Sequence, residues 1–151
     1  MKVYRICAYL IAAEVLVQAA AIVLAVFGLG HWIDDGGVAD KAAFEGDGPN
    51  FTGAVGFTIH GVNGTLLIPL LSLAFLIVSF FVKAVPGGIR WAATVLGLVA
   101  LQVFLGLASH ALVGLAPLHG LNAFALFIAA LHAGRRVTRP APAIQLEPAP
   151  V

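Results

Sequence analysis

The sequence predicts an all-α protein: a four-helix transmembrane bundle, up-down-up-down, built from two pseudo-repeated helix pairs. Composition gives the first ground. Of 151 residues, 61% are hydrophobic and 10% charged, whereas a soluble domain carries about a quarter charged residues. A water-soluble fold of this size would lack polar residues to cover its surface. Distribution gives the second ground. The apolar residues fall into four blocks, at about 4–29, 57–82, 89–115 and 118–134, and a helix needs roughly 20 mainly apolar residues to cross a bilayer. The lipid bilayer is therefore the first partner to expect.

The first block has a basic start, Lys2 and Arg5, and small residues at Ala19-Ala20-Ala21, as a cleaved signal peptide would. Glu14 interrupts it, and the apolar run continues through Ile22 to Phe27. It reads as a retained helix. A loop over 31–56 follows, rich in Gly and Asp, with turn signals at Asp35-Gly36-Gly37 and Asp47-Gly48-Pro49. Glu45-Gly46-Asp47-Gly48 lacks the spacing of a calcium loop. Asn50-Phe51-Thr52 matches a glycosylation sequon. Between the second and third blocks, Pro86-Gly87-Gly88 ends a helix cleanly. The third and fourth blocks meet at a short connection around Pro117, which makes them antiparallel neighbours. The tail over 137–151, with four prolines after Arg139, is expected to be disordered.

Orientation follows from the basic residues. With four crossings, Lys2, Arg5, Lys83, Arg90, Arg135, Arg136 and Arg139 share one side. The other side holds Lys41 with Asp34, Asp35, Asp40, Glu45 and Asp47. Basic residues favour the cytoplasm, so both termini are expected inside, in the cell membrane, with loop 31–56 outside. Net charge is +1, which leaves no case for nucleic-acid binding. The single cysteine, Cys7, excludes an intrachain disulfide and a cysteine-based metal cage.

A six-residue pattern recurs. Ile59-His60-Gly61-Val62-Asn63-Gly64 opens the second block, and Leu118-His119-Gly120-Leu121-Asn122-Ala123 opens the fourth, 59 residues later. Both copies start a helix that runs from outside to inside, as in parallel repeats. In an up-down-up-down bundle the second and fourth helices are diagonal, so His60 and His119 can ligate one haem iron from both sides. The following glycines let a flat ring or a helix approach. Asn63 and Asn122, three residues on, share nearly the same helix face and suit a helix contact or a propionate. A histidine at a helix start also has a plainer reading, as a cap or an interfacial residue.

His31 and His110 end the first and third blocks at the same outer level. Four histidines there suit a haem pair with helpers, or zinc or copper. The plainer reading is contact with the helix dipole and water. His132, beside Arg135 and Arg136, reads as interfacial. Glu14, near mid-membrane, is costly unless paired or protonated. With Gln18 one turn on and Gln102 at comparable depth, it predicts a Glu14–Gln18–Gln102 hydrogen-bond cluster. That cluster reads either as a proton-carrying or substrate-contacting group or as interhelical glue. Gln102, Gly106, His110 and Gly114 form a stripe on the third helix, with Ala93 and Gly97 as a small-residue contact lower down.

Leu101-Gln102-Val103-Phe104-Leu105-Gly106, followed by Leu118-His119, resembles half of a haem A synthase. The resemblance covers about 55–133. That family is built from two four-helix halves, each with haem-ligating histidines at the outer ends of its second and fourth helices. It implies haem ligation by His60 and His119. Phe57 stands where the family has a glutamate, and loop 31–56 lacks the family's frequent cysteine pair. The chain also resembles small four-helix membrane proteins of high-GC bacteria that share the Leu-His-Gly-Leu-Asn opening. The leading functional expectation is haem b between the second and fourth helices, for electron transfer or haem handling. The alternatives are a cofactor-free accessory subunit of a larger membrane complex, or metal or proton-linked transport through Glu14 and the outer histidines. Partners in the bilayer would be another membrane protein or further copies of the chain.

Overall fold

The computed structural model describes residues 1–45 and 48–137. Four helices form the bundle: α1 (Lys2–Asp34), α2 (Val55–Phe81), α3 (Gly88–Ser109) and α4 (Ala116–Arg135). All four spans are long and apolar enough to cross a membrane, and the protein is an integral membrane protein of the all-α class. Each helix packs on its sequence neighbour, and α4 closes the ring against α1. Helices α2 and α4 therefore stand diagonally, and the start of α1 and the end of α4 lie at one end, here the terminal end; the other is the loop end.

The side chains sort as lipid demands. Phe27, Leu70, Phe81, Phe104 and Phe124 point outward and are exposed. The interior of the terminal half is a close-packed core of Tyr4, Ala8, Ile11, Phe75, Val95, Leu126, Ala129, Ala130 and Ala133. Alanine dominates the α1–α4 seam, because association between helices in lipid depends on close backbone approach. Tyr4 anchors this end: its ring packs on Phe75 with centroids 4.6 Å apart, and its hydroxyl donates to the Gly88 carbonyl at 3.0 Å. Toward the loop end, α1 and α2 approach through Gly56. A Cβ there would overlap the Ala21 carbonyl oxygen.

Helix α1 runs past the expected end of the first block. At 33 residues it is about 50 Å long, against roughly 30 Å of hydrocarbon. Hydropathy marks the stretch that meets lipid, whereas the helix continues until Asp35-Gly36-Gly37 turns the chain, with Gly36 at φ +97°. Helix α3, in contrast, ends at Ser109, short of the expected 115. The chain then turns through His110–Leu112 into a 3₁₀ turn, Val113–Leu115, ahead of α4.

Helix α2 has a five-residue π segment, Asn63–Leu67. Pro69 follows two residues after its end. It has no N–H to return to the Thr65 carbonyl, and its ring crowds that carbonyl, so the helix widens just before it. Pro69 was the sequence signal for this irregularity. The loop 31–56 contains one short 3₁₀ turn, Ala42–Phe44, and Asp40 accepts a hydrogen bond from the Ala43 N–H at 2.8 Å. The Asp47-Gly48-Pro49 and Glu45–Gly48 readings, Arg139 and all but the first residue of the tail fall wholly or partly outside the described residues.

Candidate functional site

Near the loop end, His60 in the second turn of α2 and His119 in the first turn of α4 face each other across the bundle. Their ring centroids are 6.1 Å apart and their planes meet at 65°. A backbone carbonyl holds each ring. His60 Nδ1 lies 3.2 Å from the Gln18 carbonyl oxygen, and His119 Nδ1 lies 3.0 Å from the Gln102 carbonyl oxygen. A carbonyl only accepts, so Nδ1 carries the proton in both rings and Nε2 presents a lone pair.

The two halves are related beyond the six-residue pattern. Gln18 of α1 corresponds to Gln102 of α3, 84 residues later, as His60 corresponds to His119. Each glutamine offers its main-chain oxygen to the histidine of the following helix. The side chains then diverge. Gln18 Nε2 donates to the Ile59 carbonyl at 3.4 Å. Gln102 Nε2 instead meets His119 Nε2 at 3.1 Å, and Gln102 Oε1 accepts from Asn122 Nδ2 at 2.6 Å. Asn122 Nδ2 also reaches the Leu98 carbonyl at 2.9 Å. This network ties α3 to α4. In the other half Asn63 Nδ2 donates to Glu14 Oε2 at 3.3 Å, tying α2 to α1.

The expected Glu14–Gln18–Gln102 cluster does not form. Similar depth brought these residues to one level, but Gln18 and Gln102 sit on diagonal helices, and each turns to its own partner helix. Both asparagines are spent on helix contacts, the first of the two roles expected for them. The α3 stripe is cut after Gly106. A Cβ on Gly106 would come within 3.0 Å of the His119 ring, so this glycine gives the ring its place. His110 and Gly114 lie beyond the helix and are exposed. Ala93 and Gly97 also face outward, and Gly97 has open space where a Cβ would stand.

His31 does not join the pair either. It lies within α1, its ring is 76% exposed, and its Nε2 is 3.6 Å from Asp35 Oδ2, a surface contact. The four-histidine metal site is thus not assembled: among the described residues, no three His, Cys, Asp or Glu side chains converge on one point. His132, at the opposite end, packs on Trp91 and is hydrogen-bonded by Arg136.

A cavity of about 420 Å³ adjoins the His60–His119 pair, bounded by all four helices. That volume falls within the usual range of small-molecule sites, roughly 300–1,000 Å³. Its walls are almost wholly apolar: Val15, Leu16, Ile22, Ile68, Val99, Val103, Phe124 and Phe127, with Gln18, Gln102 and the two histidines as polar points. Leu16 of α1 and Phe124 of α4, both part of its lining, are 57% and 70% exposed, so the cavity wall reaches the outer surface of the bundle at these residues.

The centroid separation is of the size that two imidazoles sharing one metal ion would have. An imidazole nitrogen lies about 2 Å from a bound first-row metal ion, and two such bonds end to end with two ring radii of roughly 1 Å come to about 6 Å, the separation of these rings. Both Nδ1 atoms carry the carbonyl partner that metal-bound histidines commonly have. The Gln102 amide occupies the lone pair of His119 Nε2 and has to swing aside for ligation. Comparison with family models, with curated proteins and with solved structures gave no match.

Proposed function

We propose that this protein binds haem b between α2 and α4, with the Nε2 atoms of His60 and His119 as axial ligands, for electron transfer or haem handling. The observation that carries the reading is the paired orientation of the two rings: each Nδ1 is held by a main-chain oxygen, beside one apolar cavity. Haem bound there would supply one-electron redox chemistry, with a potential tuned by ligand identity and burial. The residues of the chain bind and orient. The Gln18 and Gln102 carbonyls fix the tautomer and raise the basicity of the ligand nitrogens. The apolar walls exclude water, and the wall that reaches the outer surface at Leu16 and Phe124 admits a flat hydrophobic molecule from the lipid. The basic residues at the terminal end, Lys2, Arg5, Lys83, Arg90, Arg135 and Arg136, favour that end in the cytoplasm and the histidines toward the outer face of the cell membrane. The resemblance to half of a haem A synthase supports the same ligand pair.

The test is an absorption spectrum of protein purified in mild detergent from haem-supplied cells. A Soret band that shifts on dithionite reduction, with sharp low-spin α and β bands, is expected. The same spectrum from a His60→Ala, His119→Ala double variant would remove the assignment.

One observation favours a second reading, a cofactor-free accessory subunit. The Asn122–Gln102–His119 network satisfies both nitrogens of His119 without any ligand. A haem-free protein that co-purifies in constant ratio with one membrane partner is the outcome that reading requires.

A further inference from the structure

The terminal end of the bundle carries a second cavity, remote from the histidine pair. A cleft of about 570 Å³ lies between the start of α3 and the end of α4, lined by Pro86, Gly87, Arg90, Trp91, Thr94 and Arg136. Arg136 makes two contacts at the cleft. Its Nε donates to His132 Nε2 at 3.0 Å, and its guanidinium carbon lies 5.6 Å from the centroid of the Trp91 ring. His132 packs on the same indole with centroids 4.3 Å apart.

Among the described residues the two guanidinium groups have no counter-charge. Among the described residues the one ion pair is His31–Asp35, at the loop end. Asp34, Asp35, Asp40 and Glu45 also lie toward that end, and Glu14 lies in the middle of α1. The start of α3 adds to the positive field: Gly87, at φ +69°, precedes it, and no side chain caps the first turn. Two arginines, an indole and an uncapped helix start thus face one cleft where the span meets the polar boundary. Indoles concentrate at that level of a membrane. Ile89, next to Arg90 in the chain, is apolar and exposed.

We propose that this cleft binds the phosphate of an anionic phospholipid headgroup. Basic pockets between transmembrane helices take such headgroups through charge-assisted, forked hydrogen bonds, for which arginine is suited. The proposal does not rest on the haem reading, since no residue is shared between the two sites.

The experiment follows Trp91 fluorescence in a Trp32→Phe background while full-length protein in neutral detergent is titrated with phosphatidylglycerol. A saturable change is expected, with no response to phosphatidylcholine. Arg90→Gln with Arg136→Gln should move the half-point roughly 30-fold, from about a fivefold contribution per basic residue at a membrane surface. Arg136→Lys, which keeps the charge and loses the fork, should fall between. Arg5→Gln with Lys83→Gln should leave the half-point in place. A double arginine variant that titrates like the parent overturns the site. Inorganic phosphate that saturates the signal at the full amplitude, with no response to phosphatidylglycerol, overturns the lipid as its occupant.

Discussion

His60 and His119 meet across the diagonal of the bundle, ring centroids 6.1 Å apart, although 59 residues separate them in the chain. Neither ring was placed by contact with the other. Each is set by a carbonyl from the preceding helix of its own pair, Gln18 for His60 and Gln102 for His119. The pseudo-symmetry of the pairs then aims both rings at one axis. The facing histidine pair is thus a consequence of repeating one two-helix unit, and under the haem reading its two members should respond alike to substitution.

Single substitutions test this. In His60→Ala and in His119→Ala, haem held by the remaining ligand is expected to change from a low-spin to a high-spin spectrum. The double variant should lose haem altogether. Absorption spectra of the reduced proteins, normalised to protein, make the comparison. Loss of the low-spin bands in one single variant only would show that a different sixth ligand serves the other.

Gln102→Leu separates the two readings of the site. The substitution frees His119 Nε2 and leaves Asn122 with the Leu98 carbonyl alone. Interhelical hydrogen bonds in membrane proteins average about 0.6 kcal/mol and reach about 1.7 kcal/mol, so the haem-free form should lose stability by that order. Haem affinity should hold or rise, since the competing amide is gone. Thermal unfolding in detergent with and without added haem measures both effects. A fall in haem binding together with stability would instead make the Gln102 amide part of the binding site.

Much of this architecture was readable in the sequence, for identifiable reasons. Four apolar blocks give four spans because lipid leaves the backbone few alternatives to a helix. The repeated His-Gly-apolar-Asn pattern located the facing histidines because helix start and spacing coincide in both copies. What lay hidden depends on the main chain. No side-chain pattern announces that the Gln18 and Gln102 carbonyls hold the imidazoles, because every residue carries a carbonyl. Depth was readable for Glu14, Gln18 and Gln102, whereas the direction each faces depends on helix rotation, and the expected cluster failed there. The end of α1 at Asp34 escaped because hydropathy ends where lipid ends. Pro69 did carry a signal for the π segment, and it lay in plain sight within the second apolar block.

Two glycines of α2 offer a matched packing test. A Cβ at Gly56 overlaps the Ala21 carbonyl oxygen of α1, while a Cβ at Gly61 meets nothing within 4 Å. Forcing a methyl into a packed seam costs about 1–3 kcal/mol, against a gain of up to about 1 kcal/mol from better helix propensity. Gly56→Ala should therefore lower the melting temperature, and Gly61→Ala should leave it unchanged or raise it. Equal melting temperatures would mean that α1 and α2 separate more readily than this contact implies.

Glu14 distinguishes glue from chemistry. Its carboxylate accepts from Asn63 Nδ2 at 3.3 Å, just where the π segment of α2 begins, and the corresponding position in α3 is Leu98. The other half of the bundle therefore folds with no acid at this place, and Asn122 is satisfied there by a main-chain oxygen and Gln102. If Glu14 only ties α1 to α2, its amide oxygen equivalent should serve. Glu14→Gln is then expected within about 0.6 kcal/mol of the parent, with haem content unchanged. Glu14→Leu strands the half-buried Asn63 amide and should cost more than Glu14→Gln, up to about 1–3 kcal/mol, the range for an unmade bond to a fully buried polar group. Thermal unfolding of the three proteins gives the stabilities. The discriminating readout is the midpoint potential of the bound haem between pH 6 and pH 8, which glue would leave with the same pH dependence in parent and Glu14→Gln. A pH slope in the parent that disappears in Glu14→Gln would instead give this carboxyl a proton-carrying role coupled to the haem.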